Sequence, residues 1–195
     1  RDLDPVHVAP ELLTEKQRRP AAPRRDVEDV RFGTEPQAPT EIEQLDIYRT
    51  RRVNAHGNAP VNIFVHGGAW RANRAADYAC LAEPFVQAGA HYVILDFTNV
   101  DEAGGSLFPM VEQVRRAVGW VYRNAASFGG DPNRLYLTSH SSGYHLSGCV
   151  VTHDWRRDNL PVDILKGAAL GSGMYDLEPV RLSLVRHAHA APGEP

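Results

Sequence analysis

An α/β fold built on a mostly parallel sheet is what this sequence predicts, and three observations carry the prediction. Apolar runs alternate with helical stretches, most of those runs are apolar on both faces, and small residues sit where strands give way to helices. Residues 1–40 come first, with mixed charge between 15 and 31 and prolines at 5, 10, 20, 23, 36 and 39. Their apolar periodicity is confined to residues 8–13, so they read as an N-terminal arm with one short helix. From residue 42 the β-prone runs IEQLDIY and VNIFVHGGAW flank the polar turn VNAHGNAP, which predicts a hairpin-like start to the sheet.

Regular alternation follows. Residues 75–88 read as helix, HYVILDF (91–97) as strand, 107–128 as helix, RLYLTS (134–139) as strand, the stretch through residue 151 as helix, and ILKGAALGSG (164–173) as a last strand. The organisation predicted is an arm (1–40), an α/β core (41–178) and an irregular tail (179–195). At 195 residues the chain fits one domain, which buries about 70% of the surface its unfolded form exposes.

A net charge of −3 gives no electrostatic basis for binding nucleic acid or an anionic membrane, and favours a small-molecule partner. Cys80 and Cys149 are too few for a disulfide framework and lack metal-ligand spacing, so they are expected to be buried free thiols. No run reaches the roughly 18 apolar residues of a membrane span, and the first thirty residues lack the apolar centre of a signal peptide. A cytoplasmic location is the corresponding expectation.

The chemistry concentrates in RLYLTSHSSGYHL, residues 134–146, where a strand pattern breaks into small residues and resumes as a helical one. A nucleophile presented on so sharp a turn needs small residues two before and two after it. Ser141 has Ser139 and Gly143 there; Ser142 would have His140 and Tyr144, and Ser139 would have Leu137 and Ser141. Ser141 is therefore the candidate nucleophile, in a GxSxG-like pattern, SHSSG, that departs at its first position. About 75 residues earlier a strand ends in His66, Gly67, Gly68, Ala69 and Trp70. Paired glycines let backbone N–H groups converge on a small anion. The N–H groups of Gly68 and Ala69, with that of Ser142 at a helix start, form the expected oxyanion hole, and Gly67 belongs to the same loop. Each such donor is typically worth about 2.7–4 kcal/mol in the transition state.

Other polar residues read more plainly. Asp131 precedes Pro132 and suits a turn; His145 suits a packed helix position; His140 should point away from the nucleophile; His187 and His189 lack the acidic or cysteine neighbours of a metal site.

These motifs resemble the α/β-hydrolases of the hormone-sensitive-lipase and arylformamidase (kynurenine formamidase) branch. HGGAW matches the oxyanion loop, FGGDPNRLYL the lead-in to the elbow strand, and SHSSGYHL the elbow, over residues 42–177. The resemblance implies a serine hydrolase that cleaves esters or N-formyl amides through an acyl-enzyme, with no metal and no organic cofactor. HGGxW is similar to the arylformamidases, so Trp70 tilts the substrate towards a formanilide or small ester. The family's acid and histidine come from loops after two further strands, which would lie beyond GAALGSGMYDL. Some twenty residues remain there, with Glu194, His187 and His189 but no apolar strand. The expectation is a chain truncated before its last strands and before the acid and histidine of the triad. Its last strand would then be an exposed edge open to self-association. The alternative is a catalytically impaired fragment or pseudo-hydrolase that binds a partner through that edge. Among His153, His187 and His189 the last two are the first candidates for the base.

Overall fold

The computed structural model describes residues 27–31, 44–52, 58–174 and 176–189. Six strands form one sheet: β1 (Val27–Arg31), β2 (Gln44–Tyr48), β3 (Ala59–Val65), β4 (His91–Leu95), β5 (Gly130–His140) and β6 (Leu165–Gly171). Their spatial order is β1-β2-β4-β3-β5-β6. β3, β4, β5 and β6 are mutually parallel, whereas β2 runs antiparallel to β4 and β1 antiparallel to β2.

The expected hairpin between the first two apolar runs does not form, because β4 lies between them. The burial patterns explain the exchange. β4 is buried at all five positions and β3 at six of seven, so both need a strand on each edge and helices on each face. β2 alternates, with Leu45 and Ile47 buried and Gln44, Asp46 and Tyr48 half-buried, and it takes the position farther from the sheet centre. β1 falls within the segment read as an arm, and its charged sequence VEDVR suits a sheet edge. The short helix expected at residues 8–13 lies outside the described residues.

Alternate residues of β3 serve two cores. Val61, Ile63 and Val65 join the larger one, beneath α2 (Phe108–Asn124) and α3 (Ser142–Val151). Phe64 joins Tyr92 and Ile94 in a smaller one, covered by a 3-10 turn at Ala75–Leu81 and by α1 (Ala82–Gln87). The apolar stripe of α2 runs through Met110, Val114, Ala117, Val118 and Val121, the spacing of one helix face. A short 3-10 turn, Ala125–Phe128, then ends at Gly129 with φ 83°, a left-handed stop that reverses the chain into β5.

Two expectations are corrected here. Part of the tail read as irregular is a helix, α4 (Glu178–His189), whose first turn carries a Glu178–Arg181 ion pair at i,i+3 spacing. Cys80 and Cys149 are free but exposed, because each lies on the solvent side of its helical segment. No helix among the described residues is long and apolar enough to cross a membrane.

Candidate active site

β5 ends at His140 and α3 begins at Ser142, so Ser141 is the hinge between them. Its backbone sits at φ 56° and ψ −126°, a conformation that strains a residue with a side chain by about 1–3 kcal/mol. Neighbouring contacts hold it there. Ser141 N–H donates to Gly171 O of β6 at 2.9 Å, and the start of α3 presses on the end of β3. A Cβ on Gly143 would meet Val65 O at 2.3 Å and His66 O at 2.4 Å, which is why the second residue after the serine has no side chain. Ser139, two residues before, is 6% exposed, so a small serine is accommodated at that position.

The loop after β3 is equally constrained. Gly68, Ala69 and Trp70 have φ of 119°, 52° and 60°, and left-handed backbone at the last two costs about 1–2 kcal/mol each. The turn closes through N–H groups of Arg71 and Ala72, each 2.9 Å from Gly68 O. A Cβ on Gly68 would lie 2.1 Å from Ala72 O. On Gly67 it would lie 2.9 Å from both His140 O and Ser141 Cβ, so that glycine lets the loop touch the elbow. Among the described residues no acceptor meets the N–H of Gly68 or Ala69, and Ser142 N–H belongs to the helix turn that has no intrahelical acceptor. Gly67 thus lies against Ser141, Ser142 follows it in the chain, and Gly68 and Ala69 continue the loop from Gly67.

Trp70 packs inward rather than lining an open surface, being 7% exposed and edge-on to the His145 ring at 5.9 Å. Its backbone N–H donates to Ser142 Oγ at 3.2 Å, and its backbone carbonyl accepts from Val100 N–H at 2.7 Å. A cavity of about 140 Å³ opens between this loop and residues 97–99, bordered by His66, Gly67, Arg74, Asp77 and Thr98.

The remaining candidates are dispersed. His140 is exposed and His145 is half-buried, its imidazole pushed towards the neutral form by burial. Asp131 accepts from Asn133 N–H and Arg134 Nε, a turn whose guanidinium holds the carboxyl below its ordinary range. His153 meets Asp158 at 2.7 Å, but near the far end of α3, about 15 Å of helix from Ser141. His187 and His189 fall in α4 with side chains outside the described residues, as is Glu194. No side chain among the described residues hydrogen-bonds Ser141 Oγ. Sequence reasoning missed the Ser142 hydroxyl and the Asp96–Phe97 pair beside His66; the one available signal was the second serine in SHSSG, which a backbone donor alone does not need.

Comparison with known proteins bears on the family and the fold. The BD-FAE family model matches residues 45–161, from β2 to past α3 and so across both loops. Kynurenine formamidase from Danio rerio is 36% identical over 145 residues, 74% of this chain and 46% of that protein. A probable isoprenylcysteine alpha-carbonyl methylesterase from Oryza sativa subsp. japonica is 31% identical over 81% of this chain and 36% of its own length. The chain therefore spans less than half the length of these curated relatives. Among solved structures, a thermostable esterase from Pseudomonas putida superposes with a TM-score of 0.63 at 22% identity, covering 85% of this chain and 49% of that one. The butyrate-bound Est2 esterase of Thermogutta terrifontis gives 0.59 at 22% identity over 69% and 51%. A mostly parallel sheet, a strained serine between β5 and α3, a glycine loop against it and a family match over more than half of its residues together establish that this chain belongs to the BD-FAE family, in the arylformamidase and carboxylesterase branch of the α/β-hydrolases.

Proposed function

We propose that the chain carries the nucleophile and oxyanion half of a serine hydrolase acting on esters or N-formyl amides. Ser141 Oγ attacks the acyl carbonyl carbon, and the carbonyl oxygen, now negative, accepts hydrogen bonds from the N–H groups of Gly68, Ala69 and Ser142. The alcohol or arylamine then leaves with a proton, and water hydrolyses the acyl-serine. The base that takes the Ser141 proton is to be sought first at His187 and His189 of α4. The observation that carries the reading is the strained φ of 56° at Ser141, directly beside a loop with three successive positive-φ residues. Such strain is a burden on stability that a purely structural turn would shed by accepting glycine.

The relatives' names, a kynurenine formamidase and methylesterases, support a small acyl or formyl substrate with an aryl or alkyl leaving group. A fluorophosphonate probe tests the nucleophile. Labelling of the native protein that disappears in Ser141→Ala is the expected result; no labelling, or labelling that survives the substitution, overturns it. A panel of formanilide, aryl acetate and methyl ester then ranks the leaving groups.

A second reading is favoured by β6, whose residues 166–169 are exposed and which pairs with β5 alone among the described residues. It casts the chain as a binding partner that adds a strand or a second copy along β6. Sedimentation that stays monomeric at high concentration, together with esterase turnover, would reject it.

A further inference from the structure

We infer that the side chain of Ser142, and not only its backbone, is part of the hydrolytic apparatus: its hydroxyl is a positioning group that clips the oxyanion loop to the elbow. The inference deepens the proposed serine-hydrolase reading and rests on it. Ser142 is 2% exposed, and its Oγ accepts the Trp70 N–H at 3.2 Å, bridging 72 residues of sequence. That one bond joins the two elements whose N–H groups must converge on a single oxygen. Ser142 N–H is on one side of it; the amides of Gly68 and Ala69 are on the other, two residues and one residue before Trp70. The spacing of the donors is thereby referred to one residue.

The loop needs such a clip. Ala69 and Trp70 both hold positive φ without being glycine, so the local backbone preference favours leaving this conformation. Val100 N–H bonds the Trp70 carbonyl at 2.7 Å and fixes the loop from the opposite side, towards the strand β4 exit. It does not tie the loop to α3. Without the hydroxyl the Trp70 amide loses its described acceptor, and nothing else described bonds the loop backbone directly to the elbow helix. A displacement of the two loop amides weakens donation to the developing oxyanion.

The test compares the native full chain with Ser142→Ala and with the near-isosteric Ser142→Cys, whose sulfur is a weak acceptor. Two quantities are read: amide exchange at Trp70, and the fluorophosphonate reaction at Ser141 separated into its affinity and its limiting rate. The expected result is at least about tenfold faster exchange at Trp70 and a limiting rate lowered about 10- to 100-fold, with affinity unchanged, since loss of one full oxyanion donor is worth about 10²–10³. Ser142→Cys should fall on the same side as Ser142→Ala, and it serves if the alanine variant fails to fold. Unchanged exchange at Trp70 overturns the clip. Faster exchange with an unchanged limiting rate overturns its role in the hole. A native chain that does not label at all refutes the hydrolase reading, and the exchange measurement still decides whether the clip exists.

Discussion

The imidazole of His66 lies flat on the ring of Phe97, with centroids 4.4 Å apart and planes inclined by 9°, while its Nδ1 meets Gly67 O at 2.8 Å. A carbonyl can only accept, so Nδ1 carries the proton in this contact. Nε2 then faces the Asp96 carboxylate at 3.7 Å without a hydrogen-bond partner, and Asp96 is itself held by the Ala75 N–H at 2.7 Å. His66 is 3% exposed, so ring stacking and one hydrogen bond fix where the glycine loop leaves β3.

Those two contributions can be separated. His66→Phe keeps an aromatic ring on Phe97 and removes the bond to Gly67 O; it should lower unfolding free energy by about 1 kcal/mol. His66→Ala removes both and leaves a cavity, for which about 3 kcal/mol is expected. Urea titration of the two variants measures the difference, and equal losses would show that stacking contributes nothing.

Two glycines of α3 should respond to the same substitution with opposite sign. Gly143→Ala drives a methyl group to 2.3 Å from Val65 O and 2.4 Å from His66 O, both backbone atoms, and should destabilise by about 3 kcal/mol or prevent folding. Gly148 has nothing within 4 Å of a Cβ, so Gly148→Ala should stabilise by about 0.5–1 kcal/mol through helix propensity. Thermal melts of both variants check the pair.

Acid should weaken the fold through His91. Its Nδ1 accepts the Thr50 N–H at 3.1 Å and the residue is 2% exposed. Burial first, and the charge of Arg49 with it, lower its folded pKa below the ordinary 6.5. The unfolded chain therefore binds the proton more readily. The contribution of His91 is complete above 6.5 and is lost as pH falls through the folded value. The urea midpoint should drop as pH is lowered below 6.5, and drop less in His91→Asn, which keeps an acceptor. His145, lowered by burial in the same direction, accounts for a residual slope.

A structural role is expected for the His153–Asp158 pair. Asp158 bonds both Arg115 and His153, and their hydrogen bonds hold its carboxyl below the ordinary range against the opposing effect of burial. Asp158→Asn should cost about 1.5–3 kcal/mol in chemical denaturation. His153→Ala should leave the fluorophosphonate labelling rate of Ser141 within about twofold, because about 15 Å of helix separates the two residues. A loss of labelling in His153→Ala would identify it as the base.

How far the sequence was legible depends on what each signal encodes. Gly143 and the glycines of HGGAW were readable because steric exclusion leaves a composition signature, and the contacts their Cβ atoms would make show the exclusion directly. The positive φ of Ala69 and Trp70 left no such signature, since neither residue is a left-handed former, and the Ser142 hydroxyl that accepts from Trp70 was signalled only by the second serine of SHSSG. Apolar runs located β3 and β4 but not their neighbours: periodicity reports which faces are buried, whereas strand order depends on which edges are covered. The same limit applies to Cys80 and Cys149, whose exposure follows from helix rotation rather than residue type.

The insertion of β4 between β2 and β3 also sets a schedule for assembly. A chain emerging from the ribosome presents β2 and β3 before the strand that must separate them, and any early pairing of those two has to be undone. Two parallel pairs close over comparably short connections, β3 with β4, 26 residues apart at Val65 and His91, and β5 with β6, 25 apart at His140 and Leu165. The elbow is complete only when β6 delivers Gly171 O to the Ser141 N–H. The strained turn at Ser141 is thus supported by a strand that follows it in the chain, and keeps its geometry only with that strand in place.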